Sequence, residues 1–230
     1  MDGGWLITEF AELDSTQDEL RRRLSAGEEA DRQVIRAAVQ TKGRGQRARD
    51  WASGRGGSWQ SAAIKGPALP ASSLFIATGV ALELNAALPG GPLRLKWPND
   101  ILLPGGAKVA GILCEYTRGF LLVGVGVNVN NEPPAGAGRI DALPLAVVNR
   151  LVLAGIQAGW QLMRERPQDL PDAYSRLDSL RGQMLRFERD GRIMEGTADG
   201  ITAAGQLRLN GPDGTVTVDS AAALRPSEAA

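Results

Sequence analysis

The sequence predicts an α+β protein in two parts: a mixed helix-and-strand unit over residues 1–181 and a small all-β unit over residues 182–230. Three observations predict it. Apolar runs at helical spacing are interspersed with β-prone runs as far as Gly182; the helical pattern then stops; and glycine-containing turn signals recur at short intervals from Gln183 onward, the pattern of a small barrel. At 230 residues and 43% hydrophobic composition, the chain has material for one or two real cores.

A strand-like stretch over residues 5–10 comes first. The run Asp14-Ser15-Thr16-Gln17-Asp18-Glu19-Leu20 then predicts a helix, with Thr16 three residues before Glu19 in capping-box spacing and acids in the first turn. Leu20 and Leu24 share one face, and the helix should stop near Gly27. Residues 33–40 are β-prone. They end abruptly in Gly43-Arg44-Gly45-Gln46-Arg47-Ala48-Arg49-Asp50-Trp51, the body of a loop running to Gly57, and loops of such length in compact domains are usually functional or disordered. A strand over 58–65 and a buried helix over 72–88 follow, the helix closed by Pro89-Gly90-Gly91-Pro92.

The next block is sheet-forming. Strands are predicted over 93–97, 101–103, 108–116 and 120–129, punctuated by Pro98, by Pro104-Gly105-Gly106 and by Thr117-Arg118-Gly119. Residues 133–144 read as a linker, and 145–166 and 172–180 as helices. In the last unit the turns are expected at Asp190-Gly191, Asp199-Gly200 and Asn210-Gly211-Pro212-Asp213-Gly214.

Composition excludes whole classes of function. With 26 Lys+Arg against 26 Asp+Glu and a pI of about 6.4, the chain as a whole lacks the basic footprint of a duplex binder. There is no histidine, so Ser-His-Asp and Cys-His mechanisms and His-ligated metals are out. The single cysteine, Cys114, excludes an internal disulfide and fits a reducing, cytoplasmic compartment. Met1-Asp2-Gly3-Gly4-Trp5 carries an acid where a secretory leader would be positive, and no apolar stretch approaches the ~20 residues of a membrane span.

Four segments carry chemistry. Lys42, Arg44, Arg47 and Arg49 set four cations against Asp50 alone, with Gly43 and Gly45 between them and Trp51 closing the run. Such a loop suits phosphate or carboxylate, and equally reads as a solvated charged turn. Lys96-Trp97-Pro98-Asn99-Asp100 ends a strand in an Asx-rich turn; Asp100 is either a hard oxygen ligand for Mg²⁺ or a structural residue. Lys108-Val109-Ala110-Gly111 puts a lysine at the head of an apolar strand, as a functional cation or a snorkelling strand end. In Gly124-Val125-Gly126-Val127-Asn128 the alternating glycines leave space above a sheet, for a ligand or for packing.

Taken together and in order, these residues resemble the biotin protein ligases. The resemblance spans about residues 6–130 and rests on Asp14-Ser15-Thr16, Gln40 with the 43–51 loop, the 96–100 run, Lys108 to Gly111 with Glu115, and Gly124 to Asn128. It implies a mixed-sheet catalytic domain of the biotin/lipoate ligase type with a small SH3-like β-barrel after it. It also implies an enzyme that joins biotin to ATP as biotinyl-5′-AMP and passes the acyl group to one lysine of a biotin carboxyl carrier protein, with Mg²⁺ on the nucleotide.

Position by position, the resemblance makes Ser15, Thr16 and Gln40 hydrogen-bonding partners of the ureido ring, with Gly43, Gly111 and Gly124 giving close contact to biotin. Arg44 and Lys108 would be the catalytic cations, and both would touch biotin and adenylate. Arg47, Arg49, Trp51, Asp100 and Asn128 would serve the nucleotide, with Asp100 also on the metal. Where the family most often has a second arginine and a glycine in the loop, this chain has Gln46 and Ala48.

Two other classes compete. A lipoate or octanoate ligase or transferase could use Cys114, but Cys114 lies roughly 20 Å along a regular strand from Lys108, at about 3.3 Å per residue, and reads as a small filler. A non-enzymatic biotinyl-adenylate sensor that binds DNA would need a helix-turn-helix ahead of Asp14, so no DNA partner is expected. The sequence leaves a homodimer open.

Overall fold

The computed structural model describes residues 4–189, 192–212, 214–219 and 224–225; the expected turn at Asp190-Gly191 and the Asp213 position lie outside these. The main sheet has seven strands: β1 (Leu6–Phe10), β2 (Gln33–Ala37), β3 (Ser58–Lys65), β4 (Arg94–Lys96), β5 (Asp100–Leu102), β6 (Lys108–Thr117) and β7 (Phe120–Val127). Their order is β1-β2-β3-β7-β6-β5-β4, with β1 parallel to β2 and the remaining neighbours antiparallel. β3 and β7 lie centrally and are buried over most of their length, β7 by apolar residues and glycines and β3 with Ser58, Gln60 and Ser61 among its buried residues.

α1 (Thr16–Ser25) covers one face, where Leu20 and Leu24 meet Ile35, Ala63 and Leu122. Its cap differs from the expected one. Ser15 is the N-cap and its Oγ accepts from the Asp18 amide at 3.4 Å, one residue before the anticipated Thr16, whose hydroxyl is engaged elsewhere. α2 (Ser72–Ala87) and α3 (Leu145–Glu165) cover the other face. They cross at almost backbone contact: a Cβ on Gly79 would stand 2.2 Å from the Gly155 carbonyl oxygen, and one on Gly159 would stand 2.5 Å from that of Phe75.

The expected helix over 172–180 is shorter, α4 (Leu170–Ser175). The edge of β4 claims the residues beyond it, since Leu95 N donates to Leu177 O at 2.7 Å and Ser179 N to Leu95 O at 2.9 Å. A second, antiparallel sheet follows with β8 (Met184–Arg189), β9 (Arg192–Ile201), β10 (Leu207–Gly211), β11 (Gly214–Val218) and β12 (Leu224–Arg225), in the order β11-β10-β9-β8-β12. Asp199-Gly200 is not a turn between strands. It lies inside β9, where Gly200 has φ +75° and the pairing with β10 slips by one residue, and the reversal comes at Thr202–Gly205.

The two sheets share a core: Phe187, Ala198, Leu207 and Leu209 join the cluster formed by α2, α3 and β4–β7. At the junction the buried Trp97 indole donates to the Gly205 carbonyl at 2.8 Å. Among the described residues, no helix is long and apolar enough to cross a membrane.

Candidate active site

On the α1 face of the sheet, a cavity of about 260 Å³ opens between the start of α1, the 43–57 loop and the middle of β6 and β7. That is near the lower end of small-molecule sites, roughly 300 Å³. One wall is a relay of hydrogen bonds. Thr16 Oγ1 pairs with Ser61 Oγ at 2.8 Å and donates to Gln40 Oε1 at 3.0 Å, Thr16 N donates to the same Oε1 at 2.8 Å, and Gln40 Nε2 donates to Ser53 Oγ at 2.8 Å. The Ser53 hydroxyl then donates to the Trp51 carbonyl at 3.0 Å. Buried polar groups that are fully partnered in this way rigidify a site.

The loop is folded back on itself rather than extended. Gly45 N donates to Arg49 O at 2.7 Å and Trp51 N to Gly43 O at 2.8 Å, around a short 3₁₀ turn at Gln46–Ala48 in which Arg47 has φ 58°. Gly43 stands outside the cavity lining, and its missing side chain is explained within the loop: a Cβ would lie 2.3 Å from the Trp51 carbonyl oxygen. Trp51 reaches over β6 and β7. Gly111 and Gly126 are directly paired across those strands, and a Cβ would stand 3.0 Å from the indole at Gly111 and 2.5 Å from it at Gly126. The glycine pair is a landing for the ring. Gly124, also in the lining, leaves room for Gln17, whose Oε1 would be 2.8 Å from a Cβ there.

Both expected cations face the cavity, each with an internal carboxylate partner. Lys108 Nζ lies 4.9 Å from the centre of the Trp51 ring and 2.6 Å from Asp100 Oδ1. Arg44 Nη1 lies 2.7 Å from Asp18 Oδ1, and that hydrogen bond raises the guanidinium pKa. Arg49 also lines the cavity, while Arg47 is exposed beyond it. Asn128 is buried at the far end. Its Nδ2 donates to Gly138 O at 3.0 Å, its Oδ1 accepts from Asn131 Nδ2 at 3.0 Å, and Pro134 and Ala137 of the same segment complete the lining. The supposed linker is thus a wall, joined to Lys108 through Gly138 N donating to Lys108 O at 2.9 Å.

Asp100 stands just outside the lining as a single carboxylate, and among the described residues no three His, Cys, Asp or Glu side chains cluster as a metal site. That donor set fits a Mg²⁺ ion carried in on substrate phosphates and not a protein-built cage. Cys114 packs against the α2–α3 core, away from the lining, and burial pushes its thiol up to about 12.

Sequence reading gives no role to Gln17, Gln60, Ser61, Pro134 or Ala137, nor to Asn99 within the 96–100 run, all of which line the cavity. For Ser61 a signal exists: Ser58, Gln60 and Ser61 are polar residues among Trp59, Ala62, Ala63 and Ile64 in a β-prone run, and all three are buried.

Residues 9–142 match the biotin/lipoate A/B protein ligase family, and residues 182–222 match the biotin protein ligase C-terminal domain. The chain belongs to the biotin protein ligase family. It is an enzyme, a biotin ligase. Among curated biotin protein ligases, a biotin--[acetyl-CoA-carboxylase] ligase of Mycobacterium tuberculosis is 31% identical over 242 residues, covering 94% of this chain and 88% of its own length. Another from Paracoccus denitrificans is 32% identical, with 92% and 97% covered. In fold, the chain is similar to a biotin protein ligase from Aquifex aeolicus solved in complex with biotin and ATP, at a TM-score of 0.82 and 24% identity, over 96% of this chain and 99% of that one.

Proposed function

We propose that this biotin ligase works in two half-reactions with ATP and biotin as substrates. In the first, a biotin carboxylate oxygen attacks the α-phosphorus of ATP, the bond to the β-phosphate oxygen breaks, and pyrophosphate leaves. In the second, the uncharged amine of one lysine on a carboxylase biotin-carrier domain attacks the acyl carbon of biotinyl-5′-AMP, and AMP departs with the electron pair of the C–O bond. The observation that carries this reading is that two cations, a polar relay and an indole shelf converge on one small cavity.

A carboxylate and a triphosphate repel each other, so the site must offset both charges before they meet. Lys108 does this by exchanging Asp100 for the ligands' oxygens, and Arg44 by turning to them the guanidinium donors that Asp18 leaves free. Thr16, Gln40 and Ser15, at the relay end, accept from and donate to the ureido ring, and Gly111 and Gly124 serve the bicycle by letting Trp51 and Gln17 lie close to the sheet and so leave it room. Trp51 walls the adenylate, and Arg47, Arg49 and Asn128 serve the nucleotide. A Mg²⁺ ion on the phosphates would take Asp100 as its protein ligand and offset further negative charge. In the second half-reaction, once pyrophosphate has left with its Mg²⁺, Asp100 would accept the proton of the incoming ammonium, whose ordinary pKa is about 10.4.

We further assign residues 1–181 to catalysis and 182–230 to a C-terminal SH3-like β domain that shares its core, and the single cysteine supports a reducing, cytoplasmic setting. The test is pyrophosphate release by the purified protein with biotin, lipoate or octanoate. Release is expected with biotin alone; equal release with lipoate or octanoate would reassign the acyl pocket.

A further inference from the structure

Glu115, two strand positions beyond Leu113 of the lining, belongs to the motif that marks the family, yet none of the roles above uses it. It sits in a square of charges drawn from three parts of the chain. Arg44 of the loop places Nη1 2.7 Å from Asp18 of α1 and Nη2 3.7 Å from Glu115 of β6. Arg21, one turn along α1, places Nη2 2.5 Å from Glu115 and pairs with Asp18 as well. Gln17 Nε2 donates to the same Glu115 oxygen at 3.1 Å and to the Leu122 carbonyl at 3.4 Å, which fixes the orientation of its amide.

We infer that Asp18 and Glu115 are positioning residues that latch Arg44, and through it the 43–57 loop, over the acyl pocket before any ligand arrives, and that Arg21 supplies the counter-charge that lets them do so. The inference rests on the adenylating role proposed for Arg44.

The chemistry explains why two carboxylates beside an anion-binding arginine do not defeat it. Alone, Asp18 and Glu115 would cancel the Arg44 charge and repel a carboxylate or phosphate. Shared with a second guanidinium, their charge is compensated, and what remains is directional. Asp18 takes one of five guanidinium N–H donors, so the rest of the fork is left for an incoming anion. Holding a long, rotamer-rich side chain in its working orientation removes an ordering cost that binding would otherwise bear. The same contact ties down the start of a loop that also carries Arg47 and Arg49, with Lys42 just before it. These cations repel one another, and the latch opposes that repulsion.

The closing experiment has a ligand-free arm and a ligand arm. In the first, limited proteolysis of the full chain without biotin or ATP is compared among the wild type, Asp18→Asn, Arg44→Ala and the double variant. Cleavage within residues 43–57 should accelerate about tenfold in each single variant and no further in the double one, the non-additivity expected of a shared contact. Unchanged cleavage in Asp18→Asn, or additive effects, would overturn the latch whether or not the protein adenylates biotin.

In the second arm, the KM for biotin in pyrophosphate release should rise about five- to tenfold in Asp18→Asn and in Glu115→Gln, with kcat held within about twofold. Asp18→Glu should recover most of the loss. A fall in KM in Asp18→Asn would show that Asp18 competes with the ligand for Arg44, and would overturn the positioning role. Absence of biotin-dependent pyrophosphate release in the wild type would instead sink the two-step function, leaving the proteolysis result to judge the latch alone.

Discussion

On one face of the seven-stranded sheet, α2 and α3 approach each other until only glycines fit between them; on the other, α1 and the 43–57 loop are joined around a cavity by ion pairs and polar side chains. The first face is made of short-range apolar contacts, which tolerate neither gaps nor added atoms. The second is made of charges balanced in the ligand-free protein, which can exchange partners when an anion enters. Stability and chemistry are therefore lodged on opposite sides of one sheet, and a substitution on either side should affect mainly the property that its side supplies.

The largest effect is expected on the chemical face. Lys108→Ala or Arg44→Gly removes an electrostatic contact from a partly desolvated site, which costs about 3–4 kcal/mol in the transition state. Pyrophosphate release should fall about 10²–10³-fold while the thermal midpoint stays within a few degrees. Wild-type rates in both variants would erase the distinction between the faces.

The packed face should respond in the opposite sense. Gly79→Val forces side-chain atoms onto the Gly155 carbonyl, and overpacking of this kind costs about 1–3 kcal/mol, here at the upper end because the obstacle is backbone. Calorimetry should register a drop of roughly 6–12 °C in the midpoint, at about 2–4 °C per kcal/mol. The rate per folded molecule at low temperature should be preserved. A variant that kept its midpoint and lost its rate would couple the two faces directly.

A smaller effect is expected inside the loop. Gln46 lines the cavity without charge, and Gln46→Arg exchanges a neutral contact for a charge-assisted one, a gain of about 1 kcal/mol. Stopped-flow release of biotinyl-adenylate should slow roughly fivefold, at about 1.4 kcal/mol per tenfold change. An unchanged off-rate would mean that Arg49 and Arg44 already hold the intermediate.

The smallest effect is expected at Cys114, which packs toward the α2–α3 face. Cys114→Ala should leave the acyl-transfer rate within about twofold, because the thiol is buried and points away from the chemistry. Burial pushes that thiol up to about 12, so a maleimide probe at pH 8 should label it slowly when folded and rapidly in denaturant. The sign for stability follows. The unfolded chain ionises first, so stability should fall as pH rises through the ordinary thiol range near 8.5. Loss of transfer in Cys114→Ala would favour a thioester route.

Legibility in the sequence divided along the same line. Residues 58–65 and the helix starting at Ser72 announced themselves through local apolar pattern, and both are found at those positions. The Thr16–Gln40–Ser61 relay joins positions 24 and 45 residues apart and has no period, so only the motif resemblance points to Thr16 and Gln40, and the one trace of Ser61 is its polarity inside a buried strand. Residues 133–144 looked like a linker because their wall-forming contacts are backbone hydrogen bonds to β6, which composition does not encode. The cap moved from Thr16 to Ser15 for a related reason: the relay, a tertiary demand, took the threonine hydroxyl.

The hydrogen bond from Trp97 to Gly205 has a consequence for how the protein is made. The two residues are 108 positions apart, and on a ribosome adding about 5–20 residues per second the interval between them lasts about 5 to 20 s. During that interval the strand that leads to Asp100 is already outside or nearing the exit, while the carbonyl that receives its indole has not been synthesised. The nascent amino-terminal part therefore carries a large unsatisfied aromatic side chain until Gly205 has been made. The second sheet acts as a late-arriving clasp, and a chain truncated before Gly205 would carry the ligase motifs and lack the carbonyl that receives the Trp97 indole.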